Sequence, residues 1–566
     1  MTWWMRSLTD RKVRQRGSIL SGLLIIVAFV SILVGALLTE LTSSFLVSRS
    51  VVARQTREAT VTSAVELGIH RLQTTGVPAV CAQDSRGPWF LSLNNSQAAV
   101  TQTCAGIVPD FAGALRGGTY PVDAVHDFAG GQDRYVTVDS SGVLRAYLTG
   151  DYTPLWAVAT GGAPTGPPMT KDDPNGSVDI LVPQASGVAL LNEAGARPTV
   201  SCTMPASTAV TTPAAAEETA GTANFPGYAF IGGSGAGAQL YVYNAAAGGS
   251  CAQLASAALN GSTVGAPLVF TGKVTSFKGS TTTRDEVFIL VSDGSNTTLE
   301  HFRYQEIAGS GGSVTRSLTL LSSLSLTSQV GGTARGYAAS TSTPTVGTNV
   351  TLAVAGSSGG IALVNIAVLA GGIYTPTIAG SKILPGAISH APAWCHCPTQ
   401  DLIGAGSTNG TLYLLDTSLN IVWTYDGSAD GSPAINTTPA TDEKGDWYFG
   451  ATDGYVYDVE IPLSGSQLFK AARFGSGGTV TSSPVVGGAS ACGANACVYF
   501  GSSVSGIYFA ALGTTRIIDL QACISASAGS TSCALNPRLW ARVEVGSAGL
   551  IGANGVFVQG WSYYSP

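Results

Sequence analysis

One short stretch of the sequence carries oxygen-bearing side chains at the spacing of a calcium-binding loop. They stand at positions 1, 3, 5 and 7 of a turn around a glycine: Asp173, Asn175, Ser177 and Asp179. Hard cations prefer such oxygen ligands, although position 12, where a calcium loop has a bidentate Glu, is Gln184. Calcium is therefore the one cofactor that the sequence suggests. The alternative is a polar turn that leads into a strand at 180–182.

Motifs that could indicate catalysis are better explained as turns. Residues 356–360 (G-S-S-G-G) fit the G-x-S-x-G pattern, but they occupy the turn of a strand repeat rather than a strand-to-helix junction. Residues 233–237 (G-S-G-A-G) resemble a phosphate loop without a helix after them. The five histidines lie outside the spacings of zinc sites: His70, His126, His301, His390 and His396. We expect no catalytic residue and no enzyme activity.

Two further clusters are interpreted as loops. Cys395-His396-Cys397 could offer metal ligands, but only His390 is near in sequence as a fourth, so a disulfide or a loop is favoured. Asp442 and Asp446 bracket a short polar segment that we interpret as a turn before Trp447.

The ten cysteines fall into local couples, which indicates disulfides formed in an oxidising compartment. Four couples have ordinary separations: Cys81 with Cys104, Cys202 with Cys251, Cys492 with Cys497, and Cys523 with Cys533. A fifth bridge, between Cys395 and Cys397, would close a very small ring. The sequence leaves the connectivity open.

Composition favours a folded, mainly β protein. Of the 566 residues 45% are hydrophobic and only 11% are charged, and small residues replace the charges, as expected of short strands joined by tight turns. Residues 1–16 carry a net charge of +4 against −6 for the whole chain, so the remainder is acidic. Nothing after this segment forms a basic patch, and we expect no nucleic-acid partner.

The N-terminal segment predicts a membrane-spanning helix. Residues 17–38 contain no charge, and at 1.5 Å per residue they span about 33 Å, enough to cross a hydrocarbon core. The arginines before them place the N-terminus in the cytoplasm and the rest outside. The same helix should continue through residues 45–73 with one apolar face, and end near residues 76–78. That face repeats every three or four residues: Val61, Val65, Ile69 and Leu72.

A short basic leader precedes the apolar helix. Arg14-Gln15-Arg16-Gly17 is followed by Ser18-Ile19-Leu20 and the helix. Over about residues 11–75 this order resembles the type IV pilins, in particular minor pilins. The resemblance implies that a prepilin peptidase cuts between Gly17 and Ser18, and that the helix packs into a filament core. The fifth mature position is Gly22 instead of the usual Glu. The alternatives are an uncleaved signal anchor and a cleaved secretory signal.

Beyond residue 119 the sequence repeats a strand, a small-residue turn and a second alternating strand. One turn glycine marks each repeat, at spacings of 44 to 66 residues: Gly142, Gly187, Gly237, Gly294, Gly360, Gly410, Gly454 and Gly506. A second marker, a proline two places after a small residue, suits the start of a strand: Pro168, Pro267, Pro433 and Pro484. Residues 549–560 return to the pattern, and we expect them to close a ring. Separate sandwiches are the alternative.

The repeats predict a β-propeller of seven or eight four-stranded blades after one long N-terminal helix. Asn409-Gly-Thr-Leu-Tyr-Leu-Leu-Asp416, with Trp423 after it, resembles the blades of quinoprotein-type propellers. Quinoprotein dehydrogenases of this fold carry adjacent cysteines that pack on the cofactor, and this chain has no Cys-Cys pair. Type IV pilus-tip adhesins also carry such propellers. We divide the chain into a leader (1–17), a helix (18–76), a connecting segment (77–118) and a propeller (119–566).

These features together favour a non-catalytic cell-surface protein. A pilin-like helix would insert into a membrane or pilus filament, and the propeller would bind a surface protein or glycan for adhesion or pilus assembly. One alternative is a membrane-anchored envelope scaffold without a pilus. Another is an exported dehydrogenase or hydrolase whose acidic residues converge only in the folded state.

Overall fold

The computed structural model describes the chain from residue 16 onward, with gaps. The residues outside the description are 1–15, 76–86, 94–95, 116–119, 122–124, 129–131, 149–153, 173–177, 186, 193–199, 204–212, 217–227, 236, 245–251, 271–274, 278–279, 309–312, 342–348, 370–372, 443, 463, 476, 488–495, 505, 546–555 and 565–566.

The first element is a single helix, α1 (Arg16–Thr75), whose 60 residues give it a length of about 90 Å. Its apolar half is exposed along its length, with a mean hydropathy of 2.7 in the most apolar window and none of that window buried. Ser31 and Thr39 donate their hydroxyls to the carbonyls of Val27 and Gly35 at 2.7 and 2.6 Å, which hides these polar groups within the helix. This half is long and apolar enough to cross a membrane.

Two antiparallel strands follow the helix, β1 (Trp89–Leu93) and β2 (Ser96–Leu115). Three meandering sheets come next. The first contains β3 (Tyr120–Pro121), β4 (Val125–Phe128), β5 (Gln132–Val138), β6 (Val143–Leu148) and β7 (Pro154–Ala159). The second contains β8 (Met169–Asp172), β9 (Val178–Gln184), β10 (Gly187–Asn192) and β11 (Val200–Thr203). The third contains β12 (Pro213–Ala216), β13 (Tyr228–Gly232), β14 (Gln239–Asn244) and β15 (Gln253–Ala258).

Four more meandering sheets continue the series. The fourth contains β16 (Ser262–Thr263), β17 (Leu268–Phe270), β18 (Thr275–Phe277), β19 (Ser280–Ser292), β20 (Thr297–Ala308) and β21 (Val314–Ser325), and a one-turn helix α2 (Thr327–Val330) follows it. The fifth contains β22 (Ala334–Ala339), β23 (Asn349–Gly356), β24 (Gly360–Leu369) and β25 (Ile373–Ile383). The sixth contains β26 (Ala393–His396), β27 (Asp401–Gly406), β28 (Thr411–Leu415) and β29 (Ile421–Asp426), before a 3-10 helix at Gly427–Asp430. The seventh contains β30 (Ala440–Thr441), β31 (Asp446–Gly450), β32 (Tyr455–Glu460) and β33 (Phe469–Gly475).

The eighth sheet joins the two ends of the chain. Its later strands are β34 (Val485–Gly487), β35 (Ala496–Ser502), β36 (Gly506–Ser525), β37 (Cys533–Val545) and β38 (Val556–Tyr564). The strands β2 and β36, of 20 residues each, pair antiparallel from Ala98 opposite Ile524 to Leu115 opposite Ile507. One end of this pair continues the order β34, β35, β36, β2, and the other end gives the order β1, β2, β36, β37, β38. We call the second part the anchor sheet.

The sheets of the described residues form a β-propeller, as the repeats predict. Each of the eight turn glycines falls in a different sheet, and apolar clusters join each sheet to the next along the chain. The first and eighth sheets meet where the rings of Tyr135 and Tyr499 lie 4.1 Å apart. In the fifth sheet the positive φ belongs to Gly359 (φ 91°) rather than to Gly360, because the turn lies one residue earlier.

The C-terminal segment lies elsewhere than the repeats suggest. The repeats predict that residues 549–560 close the ring, and residues 77–118 are expected to connect the helix to the propeller. Residues 549–555 lie outside the described residues. In the structure β38 pairs with β37 in the anchor sheet, and β1 and β2 belong to the same sheet. The ring closes instead through β2 from the N-terminal side, which pairs with β36. The pairing partners are about 400 residues apart, so no local pattern could indicate them.

The second half of α1 packs on the anchor sheet. Val61, Val65 and Leu72 of the predicted apolar face are fully buried, and Ile69 is partly buried against the same core. That core contains Val100 of β2 together with residues of β36 and β37. Gly68 allows the close approach, because a Cβ there would lie 3.2 Å from Val100 and 3.3 Å from Leu520.

We predict that Leu72→Ala destabilises the anchor sheet by about 2–5 kcal/mol, because the truncation leaves a cavity in a closed core. Hydrogen exchange of β37 amides, measured on the full chain in detergent, should accelerate accordingly. The control is Leu38→Ala, since Leu38 is 59% exposed and should leave this exchange unchanged. Equal acceleration in both variants would contradict the packing.

Candidate functional site: an axial cavity and a buried carboxylate cluster

A cavity of about 520 Å³ lies where the first strands of several sheets converge. Its wall includes Met169 at the start of β8, Trp394 on β26, Thr441 on β30 and Val485 on β34. The second sheet thus faces the sixth, seventh and eighth sheets across the cavity. Residues 169 and 485 come together only because the ring closes.

Prolines begin the strands that surround the cavity. Pro168 and Pro484 directly precede β8 and β34, and Pro267 directly precedes β17, so three of the four predicted proline markers are placed as expected. The first residue of a strand need not donate a backbone hydrogen bond to the neighbouring strand, so proline, which has no N–H group, suits this position. The fourth marker is wrong: Pro433 lies in a loop, and Pro439 precedes β30 instead.

Hydrogen bonds within the eighth sheet, and between it and the seventh sheet, fix the polar wall of the cavity. The hydroxyl of Ser483 accepts from the backbone N–H of Thr438 at 3.0 Å, and the hydroxyl of Ser482 accepts from that of Gly501 at 2.7 Å. The side-chain amide of Asn436 donates to the carbonyl of Val480 at 3.2 Å. Each serine hydroxyl is thereby held in place while its own hydrogen can still donate.

His390 is the one ionisable group among the described residues that line the cavity. Burial lowers the pKa of its imidazole below the ordinary value, and the positive charge of Arg335 lowers that pKa further. Its Nδ1 lies 2.9 Å from the hydroxyl of Ser389. A neutral imidazole can donate one hydrogen bond and accept another, so the wall presents neutral polar groups.

A buried carboxylate cluster lies outside the cavity, between the seventh sheet and β36. In the hairpin of β31 and β32, Asp446 is opposite Glu460 and Tyr448 is opposite Asp458. Arg516 of β36 is 2% exposed and is the cation of the cluster. Neither carboxylate oxygen of Asp458 has a hydrogen-bond partner in the described part of the chain.

Burial dominates the electrostatics of this cluster. It raises the pKa of Asp446 to about 8, with the charges of Asp442 and Glu460 adding to the effect. Burial also raises the pKa of Asp458 well above the ordinary value, followed by repulsion from Asp446 and Glu460. Burial lowers the pKa of the Arg516 guanidinium. These shifts favour the protonated form of Asp458, since an ionised carboxylate without partners is costly inside the protein.

Most of the predicted calcium loop lies outside the described residues. Asp173, Asn175 and Ser177 are among those residues, and Asp179 lies on β9. Among the described residues no group of three or more His, Cys, Asp or Glu side chains is placed to hold a metal ion. The calcium site stays a prediction. Gly17 and Ser18 lie at the start of α1, and their cleavage also stays a prediction.

The other motifs are turns, as interpreted. Residues 357–359 connect β23 to β24, and residues 233–238 connect β13 to β14. Asp442 accepts from the backbone N–H groups of Lys444 and Asp446 at 2.8 and 3.1 Å, which is the geometry of a side-chain-stabilised turn.

Disulfides are present at two of the predicted couples. Cys523 is bonded to Cys533 with Cα atoms 5.5 Å apart, and Cys395 is bonded to Cys397. Cys104 and Cys497 are disulfide-bonded as well. Cys81, Cys251 and Cys492 lie outside the described residues, and the Cys202 side chain is not described. The bonded Cys395 and Cys397 do not act as metal ligands; His396 instead bonds to Asp401 and to the carbonyl of Ser340.

Comparison with known proteins gives similarity in fold alone. No protein-family model matches the chain. No curated protein matches it. Similar solved structures include Sqt1 of Saccharomyces cerevisiae, with 12% identity, 73% of this chain and 100% of that chain covered, and a TM-score of 0.46. BamB from Moraxella catarrhalis has 14% identity, coverage of 72% and 99%, and a TM-score of 0.40. The Dos1 propeller has 9% identity, coverage of 72% and 95%, and a TM-score of 0.43.

We predict that Asp458→Asn stabilises the protein increasingly as pH rises above the ordinary carboxyl pKa of about 4. The folded-state pKa is raised, so the unfolded chain loses this proton at lower pH than the native state does, and wild-type stability falls through that window. The slope is at most about 1.4 kcal/mol per pH unit for each such group. Urea unfolding at about pH 4.5 and about pH 8 measures the difference.

The control for this prediction is Tyr448→Phe, which removes a neighbouring hydroxyl. Burial raises the pKa of Tyr448 well above its ordinary value, so the Tyr448 hydroxyl does not ionise at either pH. The control should change stability equally at both pH values. A pH-independent effect of Asp458→Asn would show that this carboxylate is already ionised in the folded protein.

Proposed function

We propose that this chain is a pilin-like subunit of the cell envelope that displays a β-propeller on the outer side of a membrane. The observation that supports this proposal best is where the propeller is inserted. It lies between β2 and β36, two strands of the sheet that supports the helix. The chain therefore leaves and re-enters the anchor sheet through adjacent, paired strands.

The two halves of α1 suit two different surroundings. Residues such as Leu23, Ile26 and Leu37 are 58–61% exposed, and this apolar surface needs a membrane or other helices to cover it. The second half is already covered by the anchor sheet. The exposed half of such a helix can insert into a bilayer or filament. The other half, packed on an antiparallel sheet, carries the folded domain.

The paired strands hold the propeller firmly to the anchor. Twenty residues of strand reach about 66 Å at 3.3 Å per residue, and β2 and β36 run together through both parts. Close packing reinforces this junction: a Cβ at Gly106 of β2 would lie 2.8 Å from the carbonyl oxygen of Ala471 on β33. Such a rigid connection would transmit force from a bound partner to the helix without the unfolding of a linker.

The basic leader and the bonded cysteines fit this role. Cleavage between Gly17 and Ser18 would release a mature chain that begins at the apolar helix. Disulfides such as Cys523–Cys533 are typical of compartments outside the cytoplasm. In this proposal the propeller binds a surface protein or a glycan, for adhesion or for pilus assembly.

We predict that the mature protein begins at Ser18 when the chain is expressed with a prepilin peptidase. Gly17→Val should keep Met1 and should be missing from sheared filaments, because the bulky residue blocks the cleavage site. Edman sequencing and immunoblots of filament and membrane fractions measure both effects.

The matched control is Gly22→Ala, another glycine of the same helix with no atom within 4 Å of an added Cβ. This variant should be processed normally. A wild-type chain that keeps Met1 and is found only in membranes would support the uncleaved envelope scaffold instead.

A further inference from the structure

Two bulky residues of the axial cavity depart from the repeat that builds it. The proline before each first strand gives a common reference: Pro392 before β26, Pro439 before β30 and Pro484 before β34. At the position two residues before this proline, the seventh and eighth sheets have small hydroxylated residues, whereas the sixth sheet has His390. At the position two residues after it, the seventh sheet has Thr441, the eighth has Val486 and the sixth has Trp394.

This departure is informative because the fold does not require it. Neighbouring sheets build the same strand with small side chains at both positions, so the backbone there makes no demand for an indole or an imidazole. Trp394 packs partly on the core between the fifth and sixth sheets, but it also reaches the cavity wall. His390 lines the same cavity. One sheet therefore adds an aromatic surface and a neutral donor and acceptor to an otherwise small-residue wall.

We propose that the axial cavity binds a neutral saccharide unit, with Trp394 against the sugar ring. An indole face is electron-rich and attracts the C–H groups of a pyranose ring. The serine hydroxyls, the amide of Asn436 and His390 can bond sugar hydroxyls, which both donate and accept. This inference rests on the display role proposed above and names the ligand class of that surface.

A saccharide fits the cavity better than a peptide does. The cavity volume of about 520 Å³ is within the range of small-ligand sites. A bound peptide strand needs a row of backbone N–H and C=O groups at a sheet edge, whereas these strands start with prolines and present scattered side-chain hydroxyls around a ring. Carboxylates, lysines and arginines are missing from the described residues of the lining, so no partner is present there for a charged ligand group.

The test uses the full chain in detergent with glucose, galactose, mannose and N-acetylglucosamine as probes. Saturation-transfer NMR should detect at least one of them, and titration gives its affinity. Trp394→Ala should weaken that affinity about tenfold, and Trp394→Phe should weaken it less because a ring remains. Thr481→Val should weaken it by a smaller factor, since Thr481 lines the cavity and the change keeps the shape of its side chain.

The control is Trp423→Ala, which removes an indole from β29 of the same sheet, away from the cavity lining. It should bind sugar as the wild type does, and circular dichroism should show that all variants are folded. If no neutral sugar binds, if only a charged sugar or a peptide binds, or if folded Trp394→Ala binds equally well, the proposal is overturned. N-terminal sequencing of the same preparation keeps the two proposals separate: a chain processed at Gly17 that binds no sugar fails this inference alone, and a chain that binds sugar with Met1 intact fails the filament role alone.

Discussion

The pairing of β2 with β36 is the interaction on which the rest of the structure depends. Strands about 400 residues apart run antiparallel along most of their length, and the same pair completes both the eighth sheet of the propeller and the centre of the anchor sheet. Register shifts near Gly106 and Pro109 mark the passage from one to the other. Such bulges bend a strand and let it serve two differently oriented sheets. Without this pair the ring would stay open and the helix would lose its support.

Both sides of this junction are buried, and this burial shifts the pKa values of its charged groups. Apolar residues of α1 and the anchor sheet form one closed core, while Asp458 and Arg516 are buried and Asp446 is half-buried where β36 passes the seventh sheet. Burying carboxylates costs free energy unless they are protonated or paired. The cluster therefore makes the stability of the seam between propeller and anchor depend on pH.

The repeat architecture separates residues that build the fold from residues that alter a surface. Small residues and prolines recur at the start of several first strands because the inner edge of a ring is crowded and needs no extra donors. Trp394 and His390 break that rule in the sixth sheet. The sequence contained this signal, since both residues can be aligned to the prolines of the neighbouring repeats, but Pro392 and Pro439 are not among the four proline markers.

The sequence by itself determined the apolar helix, the packed face at Val61, Val65 and Leu72, and the eight hairpins with their turn glycines, because local interactions specify them. These features depend on periodicities of two to four residues and on backbone conformations that glycine adopts easily. Only the tertiary structure decided that β38 belongs to the anchor sheet, that β2 closes the ring, and that Met169 faces Trp394 across a cavity. Those contacts join residues hundreds of positions apart, and many pairings of similar strands satisfy the same local pattern. Ring closure selects one of these strand pairings, because only in the closed ring does each sheet pack against two neighbouring sheets.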